Sequence, residues 1–567
     1  MNDFTTAFRA VVAQRAESVA MREGTNEVTY ADLATLAGGY RDACLARGIR
    51  PGQVVVLRRE RGIEATAAMI GILLAGGAYT VIGDDYPPQR LEAMFAALDV
   101  AFTIDVNFVA RQGNPGAEGD VARGPEALMY VIFTSGTTSV PKAVGVPDRA
   151  VLRLLGDPRL GLAAGKRITH VSPIEFDASV VELWGGLLAG MTVVAVSSKQ
   201  VIDPFVMFEL IEHGADVMWL TTSLFNFFVD KRPQAFAGLE RVIVGGEALS
   251  LHHVNKALPH VTVVNGYGPT ENTVFTTLDV MTGPSVDHIS IGTAVAGTEL
   301  AVRGPDGQRA SEGELLAFGD GLAVGYLNDP DKNAAAFVEF EGRRAYRTGD
   351  MVALRPDGRL DFHGRIDSQV KVNGYRIDLQ EIENALLECG AGTAKVFVDD
   401  GRIVAAVTEG GEGLRAGIAD YLPAYMQPRQ ILLVDSIPVT ANGKADVKAL
   451  VLMRPASSPA TSVAPVSARG SCVPTPRAPG LTATGPAGQV PARGDEAMTV
   501  RSIVADQLGE GLVDGVDNLF ELGYDSIRLW KLVNAVNDAF GARLTLFDVL
   551  GDPTISTLEA LVAPRAA

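Results

Sequence analysis

Hydrophobic and polar positions alternate in short blocks through the first two thirds of the chain. Apolar runs rich in β-branched residues recur at 52–57 (GQVVVL), 168–171 (ITHV), 217–220 (VMWL), 241–244 (RVIV) and 261–265 (VTVVN), and stretches with helical spacing separate them. Runs of this kind predict buried strands, and their alternation with helices predicts α/β layers. From 367 to about 452 a shorter α+β pattern follows, with a strand at 369–372, a helix at 379–388 and a strand at 393–398. Residues 65–83 (ATAAMIGILLAGGAYTVIG) carry no charge and nearly reach the length of a membrane span. Gly76 and Gly77 interrupt them, and 79–82 (YTVI) has strand composition. A buried helix running into a buried strand is therefore expected.

The pattern stops abruptly after 452. Residues 455–494 are dominated by Pro, Ala, Ser, Thr and Gly, with almost nothing able to offset the entropy of folding, which predicts a flexible linker. Helical periodicity returns from 498 to about 562, where Leu529, Leu532, Val533, Val536 and Phe540 recur on one face, as in a small helical bundle. The expected divisions are 1–366, 367–452, the linker 453–497 and 498–567. No internal repeat is visible.

The length, 567 residues, exceeds one compact core, in keeping with several domains. A formal net charge of -18 repels phosphate backbones and argues against a nucleic-acid partner. Cys44, Cys389 and Cys472 are far apart and form no CxxC pair, so neither a disulfide framework nor a structural zinc site is expected, and a reducing cytoplasm fits. The N-terminal residues mix both charges and lack a long apolar segment, unlike a signal peptide.

Candidate chemistry concentrates first at 130–142 (YVIFTSGTTSVPK). An apolar strand leads into Thr134, Ser135, Gly136, Thr137 and Thr138, and Pro141 and Lys142 follow. Hydroxyls, backbone N–H groups and a lysine together cradle polyphosphate; a Ser/Thr-rich turn is the alternative on this segment alone. The loop is not a Walker A motif, because Pro141 stands where the second glycine would be. It resembles the phosphate signature of the adenylate-forming superfamily of acyl-CoA synthetases, luciferases and peptide-synthetase adenylation domains. Further motifs of that family follow in order: 28–33 (VTYADL), 74–79 (LAGGAY), 176–179 (FDAS), 265–271 (NGYGPTE), 313–315 (GEL), 346–350 (YRTGD), 364–371 (GRIDSQVK) and 442–444 (NGK).

The resemblance implies an acetyl-CoA synthetase-like α/β N-terminal part, a small mobile α+β part and an ATP- and Mg²⁺-dependent adenylation reaction. A carboxylate attacks the α-phosphorus of ATP, so phosphate charge must be neutralised and the attack aligned. It implies that Glu271 holds Mg²⁺, that Thr270 lies near the α-phosphate, and that Tyr267 stacks on adenine with Asn265 and the Gly245, Gly246 and Glu247 backbone. Asp350 would accept the ribose hydroxyls beside Arg365, Asp367 would be a hinge, and Lys444 the catalytic cation. Three departures from the family pattern stand out. Ser139 and Ala143 replace glycines of the phosphate loop, which points to altered loop mobility, and Asn373 replaces a common basic residue.

In the amino-acid-activating branch, an aspartate at the position of Asp177 pairs with the substrate ammonium. A helix N-cap is the other role open to Asp177, since 178–188 has helical character. The pocket positions carried over are Asp177, Ala178, Val181, Trp219, Ile243, Gly245, Gly266, Val274, Phe275 and Lys444. Between the charged ends the lining is apolar: Trp219 and Phe275 take up volume, and the two glycines are expected to leave some open. The set resembles valine-type pockets, apart from Val181 and Val274. One methylene is worth about 1–3 kcal/mol in such a pocket, so 2-aminobutyrate and isoleucine are competing substrates.

Residues 517–527 (DNLFELGYDSI) resemble the modification site of a peptidyl carrier, a four-helix bundle, with 4'-phosphopantetheine carried on Ser526; Tyr524 replaces a common glycine. A phosphopantetheinyl transferase is the implied partner. His252 and His253 lack the HHxxxDG pattern of condensation domains, and no GxSxG follows the carrier. The expectation is a free-standing didomain that hands its thioester to a tailoring or condensation enzyme in trans, with an MbtH-like helper a further candidate partner. An acyl- or aryl-CoA ligase and a catalytically weakened nucleotide-binding scaffold are the alternatives. Asp177 and the carrier segment speak against the first, and Glu271, Asp350 and Lys444 against the second.

Overall fold

The computed structural model describes residues 3–83, 86–108, 110, 116, 119–135, 141–198, 200–399, 401–410, 413–438, 445–453, 500–508, 519, 526–540, 549 and 554–562. The chain divides into two compact units, Met1–Val451 and Leu452–Ala567.

Two large sheets dominate the first unit. In the six-stranded one, Lys142–Pro147, Leu128–Thr134, Ala78–Val81, Val54–Leu57 and Val100–Ile104 lie in that order, with the short strand Gly325–Tyr326 at the edge. The nine-stranded sheet has a parallel centre made of Thr262–Tyr267, Arg241–Gly245, Val217–Thr221, Arg167–His170 and Thr192–Ala195. Each apolar run found in the sequence supplies one of these strands, buried on both faces as parallel strands covered by helices must be. The uncharged stretch at 65–83 is part of this core. Helix Ile63–Leu74 is buried from Ala65 to Leu74, Gly76 turns at φ +81°, and Ala78–Val81 is a buried central strand. Among the described residues no helix is long and apolar enough to cross a membrane.

Parallel strands deliver their C-terminal ends to one edge, where open α/β sheets bind ligands. The C-terminal halves of Val217–Thr221, Arg241–Gly245 and Thr262–Tyr267, with the segments that follow Arg167–His170 and Thr262–Tyr267, include most of the pocket positions. A five-stranded antiparallel sheet follows, and its longest strand, Arg343–Leu354, carries Asp350.

The α+β segment begins with a hairpin, Gln369–Val372 paired to Tyr375–Asp378. Its two turn residues, Asn373 at φ 52° and Gly374 at φ +84°, both take positive φ. Asn-Gly is the pair that a tight two-residue hairpin favours, so Asn373 has a backbone role here. Asp378 then caps helix Leu379–Glu388 through the Gln380 amide, and a three-stranded sheet completes the segment.

The second unit is helical where described, with Val500–Leu508, Ser526–Phe540 and Ile555–Val562. Leu529, Leu532, Val533 and Val536 are buried on one face. Phe540, expected on that face, is 37% exposed because it stands at the helix end, past the last turn that packs.

Candidate active site

Strand Leu128–Thr134 leads into the segment expected to bind phosphate. The Thr134 hydroxyl is buried without a partner among the described residues. Ser135 donates to the Arg376 carbonyl at 2.7 Å and accepts from the Asp378 amide at 3.1 Å. Lys142 holds its ammonium 5.4 Å from the centre of the Tyr326 ring; burial lowers its pKa, and Glu271 opposes that. Gly136, Thr137, Thr138 and Ser139 lie outside the described residues. Ala143 does not belong to the loop, contrary to expectation. It is a buried strand residue paired with Phe133, so its methyl fills core space and has no bearing on loop mobility.

Strand pairing sets Asp350 opposite Arg365. Arg365 Nη1 lies 2.5 Å from Asp350 Oδ1, and the Tyr267 hydroxyl donates to Oδ2. The same guanidinium reaches both oxygens of Asp367 at 2.7 Å and Gln369 at 3.0 Å, knitting the crossing between the two parts of this unit. Burial disfavours ionised Asp367, but Arg365 outweighs it and holds the carboxyl below its ordinary value. Asn265 is buried and donates to the Ser290 carbonyl. Glu247 accepts from the Gly374 amide at the hairpin tip, 2.9 Å away, and a Cβ on Gly246 would sit 3.3 Å from Gly374 Cα.

Glu271 is fully buried. Oε1 accepts from the Tyr326 hydroxyl at 2.7 Å, and Oε2 from Arg376 Nη1 at 2.7 Å. Burial alone would raise its pKa; Arg376, Tyr326 and Lys142 outweigh burial and bring the carboxyl down to about 2. A hard oxygen anion of this kind suits Mg²⁺, which takes one or two carboxylates and completes its shell from phosphate and water. The residues fit the metal on condition that Arg376 withdraws.

Asp177 precedes helix Ala178–Leu188, and its side chain makes no cap hydrogen bond to that helix, so the N-cap role is not taken. Burial pushes its carboxyl up, against the pull of a Thr270 hydrogen bond and of Lys371. Val181, Trp219, Ile243, Val274 and Phe275 belong to one buried cluster, with Ala178 packed against it. The two pocket glycines act differently from expectation. A Cβ on Gly266 would lie 2.4 Å from the Phe275 ring, and one on Gly245 would lie 2.5 Å from the Gly266 carbonyl. They leave no open volume of their own, because the Phe275 ring and the neighbouring strand already occupy it. The lining is also not wholly apolar, since Trp219 Nε1 is buried without a hydrogen-bond partner among the described residues.

The pocket turn is strained. Thr273 and Val274, both β-branched, take φ of 54° and 62°. Arg153 fastens it from below, donating to the Asn272 carbonyl at 3.0 Å and the Phe275 carbonyl at 3.2 Å, while Thr273 donates to Gly321. Neither Arg153 nor Arg376 was singled out from sequence. For Arg376 a signal existed: register puts Gln369, Lys371, Arg376 and Asp378 on one face of the hairpin and Val370, Val372, Tyr375 and Ile377 on the other. Lys444 lies outside the described residues. Ser526 opens the helix Ser526–Phe540.

Comparison with known proteins agrees with this geometry. Residues 8–327 match the model of the AMP-binding enzymes, and residues 499–562 that of the phosphopantetheine attachment site. The chain is 32% identical over 616 residues to a large component of the linear gramicidin synthase of Brevibacillus parabrevis, covering 98% of this chain and 11% of that protein. It is also 32% identical over 597 residues to gramicidin S synthase 2 of Brevibacillus brevis, covering 98% of this chain and 13% of that one. The chain thus spans only a minor part of these curated relatives. Among solved structures, holo-PA1221, an NRPS protein containing adenylation and PCP domains bound to a vinylsulfonamide inhibitor, superposes with a TM-score of 0.81 at 31% identity, over 99% of this chain and 96% of that one. The chain belongs to the AMP-binding enzymes, as an amino-acid-adenylating ligase of the nonribosomal peptide synthetase kind joined to a phosphopantetheine carrier domain.

Proposed function

We propose that this ligase activates a small branched aliphatic amino acid, valine or a close analogue such as 2-aminobutyrate or isoleucine, and loads it on its own carrier at Ser526. The observation that carries the reading is Asp177, a carboxylate beside Ala178 and a largely apolar cluster, whose side chain makes no cap hydrogen bond to the helix that follows it. An anion so placed is costly without a cationic partner, and a substrate ammonium is one.

In the first half-reaction the substrate carboxylate oxygen attacks the α-phosphorus and pyrophosphate leaves. Thr134, Ser135 and Lys142 would hold the phosphates, Asp350 the ribose hydroxyls, and Lys444 would bridge carboxylate and phosphate as charge builds. Glu271 would hold Mg²⁺, which when bound neutralises phosphate charge. In the second, the pantetheine thiol sulfur attacks the adenylate carbonyl carbon and AMP departs. Asp367 would be the hinge on which residues 367–452 turn between the two steps, and 453–497 the tether that lets the carrier at 498–567 visit and leave.

A phosphopantetheinyl transferase would modify Ser526, and a condensation or tailoring enzyme would receive the thioester. An MbtH-like helper and a cytoplasmic setting belong to the same reading.

Intact-mass analysis after phosphopantetheinylation, with ATP and a mixture of amino acids, tests this proposal. Valine or one of its analogues should add its residue mass to the wild type and nothing to Asp177→Asn. Loading of an aryl acid, or undiminished loading of Asp177→Asn, would overturn it.

A further inference from the structure

We propose that Arg90 is a positioning residue for the second half-reaction, its buried ion pair with Glu381 seating the 369–378 hairpin against the segment that carries Asp177. The inference rests on the adenylating reading above and adds to it a residue to which no role has been given. Arg90 lies on helix Pro88–Ala96, and Glu381 on helix Leu379–Glu388, which follows the hairpin directly. Arg90 Nη1 donates to Glu381 Oε1 at 2.6 Å, and both side chains are buried. The two stand on opposite sides of Asp367 in the chain, so a turn about that hinge would part them. A buried ion pair adds little over an apolar contact of the same shape, whereas one buried ion without its partner is strongly disfavoured. Arg90 Nε has no hydrogen-bond partner among the described residues, which leaves the guanidinium all the more dependent on Glu381. The pair thus acts as a selector of position: Arg90 is tolerated in this buried place while helix Leu379–Glu388 brings it a carboxylate.

Three aromatic rings carry the contact to the substrate side of the site. Arg90 also hydrogen-bonds the Tyr425 hydroxyl. The Tyr425 ring stacks on Tyr375 with centroids 4.4 Å apart and planes 13° from parallel, and Tyr375 meets the Phe176 ring edge-to-face at 4.8 Å. Tyr375 belongs to the hairpin, and Phe176 immediately precedes Asp177. Arg90 therefore fixes both the helix behind the hairpin and the ring stacked on it. Seated in this way, the hairpin holds the Ser135 hydroxyl through the Arg376 carbonyl and the Asp378 amide, so that hydroxyl is engaged and not open to a triphosphate. The seated arrangement accordingly suits the step in which the thiol attacks the adenylate.

The test uses the full chain and reads the two half-reactions separately. Arg90→Leu and Glu381→Leu should each slow single-turnover transfer from adenylate to the phosphopantetheine thiol about tenfold, within the range of ordinary coupling between sites. Amino-acid-dependent pyrophosphate exchange should stay close to wild type in both, and Glu381→Gln keeps the test open if a leucine variant does not fold. The double variant Arg90→Leu/Glu381→Leu leaves no unpaired ion and should recover most of the lost transfer rate, which damage to packing alone would not do. Hydrogen exchange at the Gly374 and Asp378 amides, bonded to Glu247 and Ser135, reads seating without turnover. It should quicken in each single variant and return towards wild type in the double one. Unchanged transfer and amide protection in the folded single variants would overturn the proposal. So would a double variant whose loss is the sum of the two, or pyrophosphate exchange that falls as far as transfer. Absence of amino-acid-dependent pyrophosphate exchange in the wild type, with the pattern of amide protection intact, would instead sink the adenylating reading and spare the pairing.

Discussion

An alanine at position 266 has no room for its methyl. The new Cβ would lie 2.4, 2.6 and 2.8 Å from three carbons of the Phe275 ring, where contact distances are about 3.5–4.0 Å, so the ring must shift by roughly 1 Å. Gly266 does not occupy positive φ, so alanine brings no backbone penalty, and the perturbation is steric alone. The main chain of Phe275 cannot follow, because its carbonyl is held by Arg153 and its amide by Thr273. In the proposed reading the ring bounds the amino-acid pocket, and its displacement would shorten that pocket by about one methylene. That length of pocket is worth about 1–3 kcal/mol, or roughly 10–200-fold in kcat/KM, while the overpacking costs a similar ~1–3 kcal/mol of stability. Amino-acid-dependent pyrophosphate exchange should therefore fall in Gly266→Ala by that factor for valine and isoleucine, and by clearly less for alanine and 2-aminobutyrate. Equal loss across all side-chain lengths, or no loss, would show that Phe275 does not bound the substrate side chain.

Buried groups on either side of the Asp177 loop should give opposite pH slopes. Burial pushes Glu182 up from 4.5 to about 7, despite its bonds from the Val171 and Ser172 amides, so its contribution to stability is full below 4.5 and is lost as pH rises through 7. His170, driven down from 6.5 to about 3 by burial and Arg61, contributes stability above 6.5 that is lost as pH falls toward 3. Thermal melts should show Glu182→Gln removing the decline between 4.5 and 7, and His170→Gln removing the rise between 3 and 6.5; parallel profiles would refute the assignment. Arg153→Met leaves the Asn272 and Phe275 carbonyls without their donor under a strained turn, which should cost about 2–4 kcal/mol in denaturant melts and raise the amino-acid KM. A normal KM in the folded variant would mean the turn holds itself. Ser526→Ala should retain full pyrophosphate exchange yet gain no mass from transferase or amino acid, and a mass gain would place the attachment elsewhere.

Central strands such as Val54–Leu57, Val217–Thr221 and Arg241–Gly245 were legible because they are buried on both faces and so read as apolar runs. Candidate site positions were legible where a motif carried them, as at Glu271 and Asp350. Contacts between distant segments were not: nothing local marks Arg153 as the clasp of residues 272–275, some 120 positions away. The glycines misled for a related reason. A missing side chain reads in sequence as empty space, whereas in the fold the Phe275 ring has taken it at Gly266. Ala143 looked like a loop residue because the end of the loop and the start of strand Lys142–Pro147 cannot be separated by composition.

The groups that would receive nucleotide are already satisfied within the chain. Arg376 stands on Glu271, Arg365 on Asp350, the Gly374 amide on Glu247, and Ser135 is bonded to the hairpin backbone. Substrate entry is thus an exchange of partners, and an exchange between well-made hydrogen bonds has a small net free energy even when each bond is strong in isolation. Were the cleft built with unpaired buried charges, it would bind ATP more tightly and hold AMP just as firmly. Uniform tightness of that kind does not speed turnover. Groups of the chain itself that stand where the proposed reading puts metal and ribose would keep the two arrangements close in energy, so that a two-step enzyme could pass between them without stalling in either.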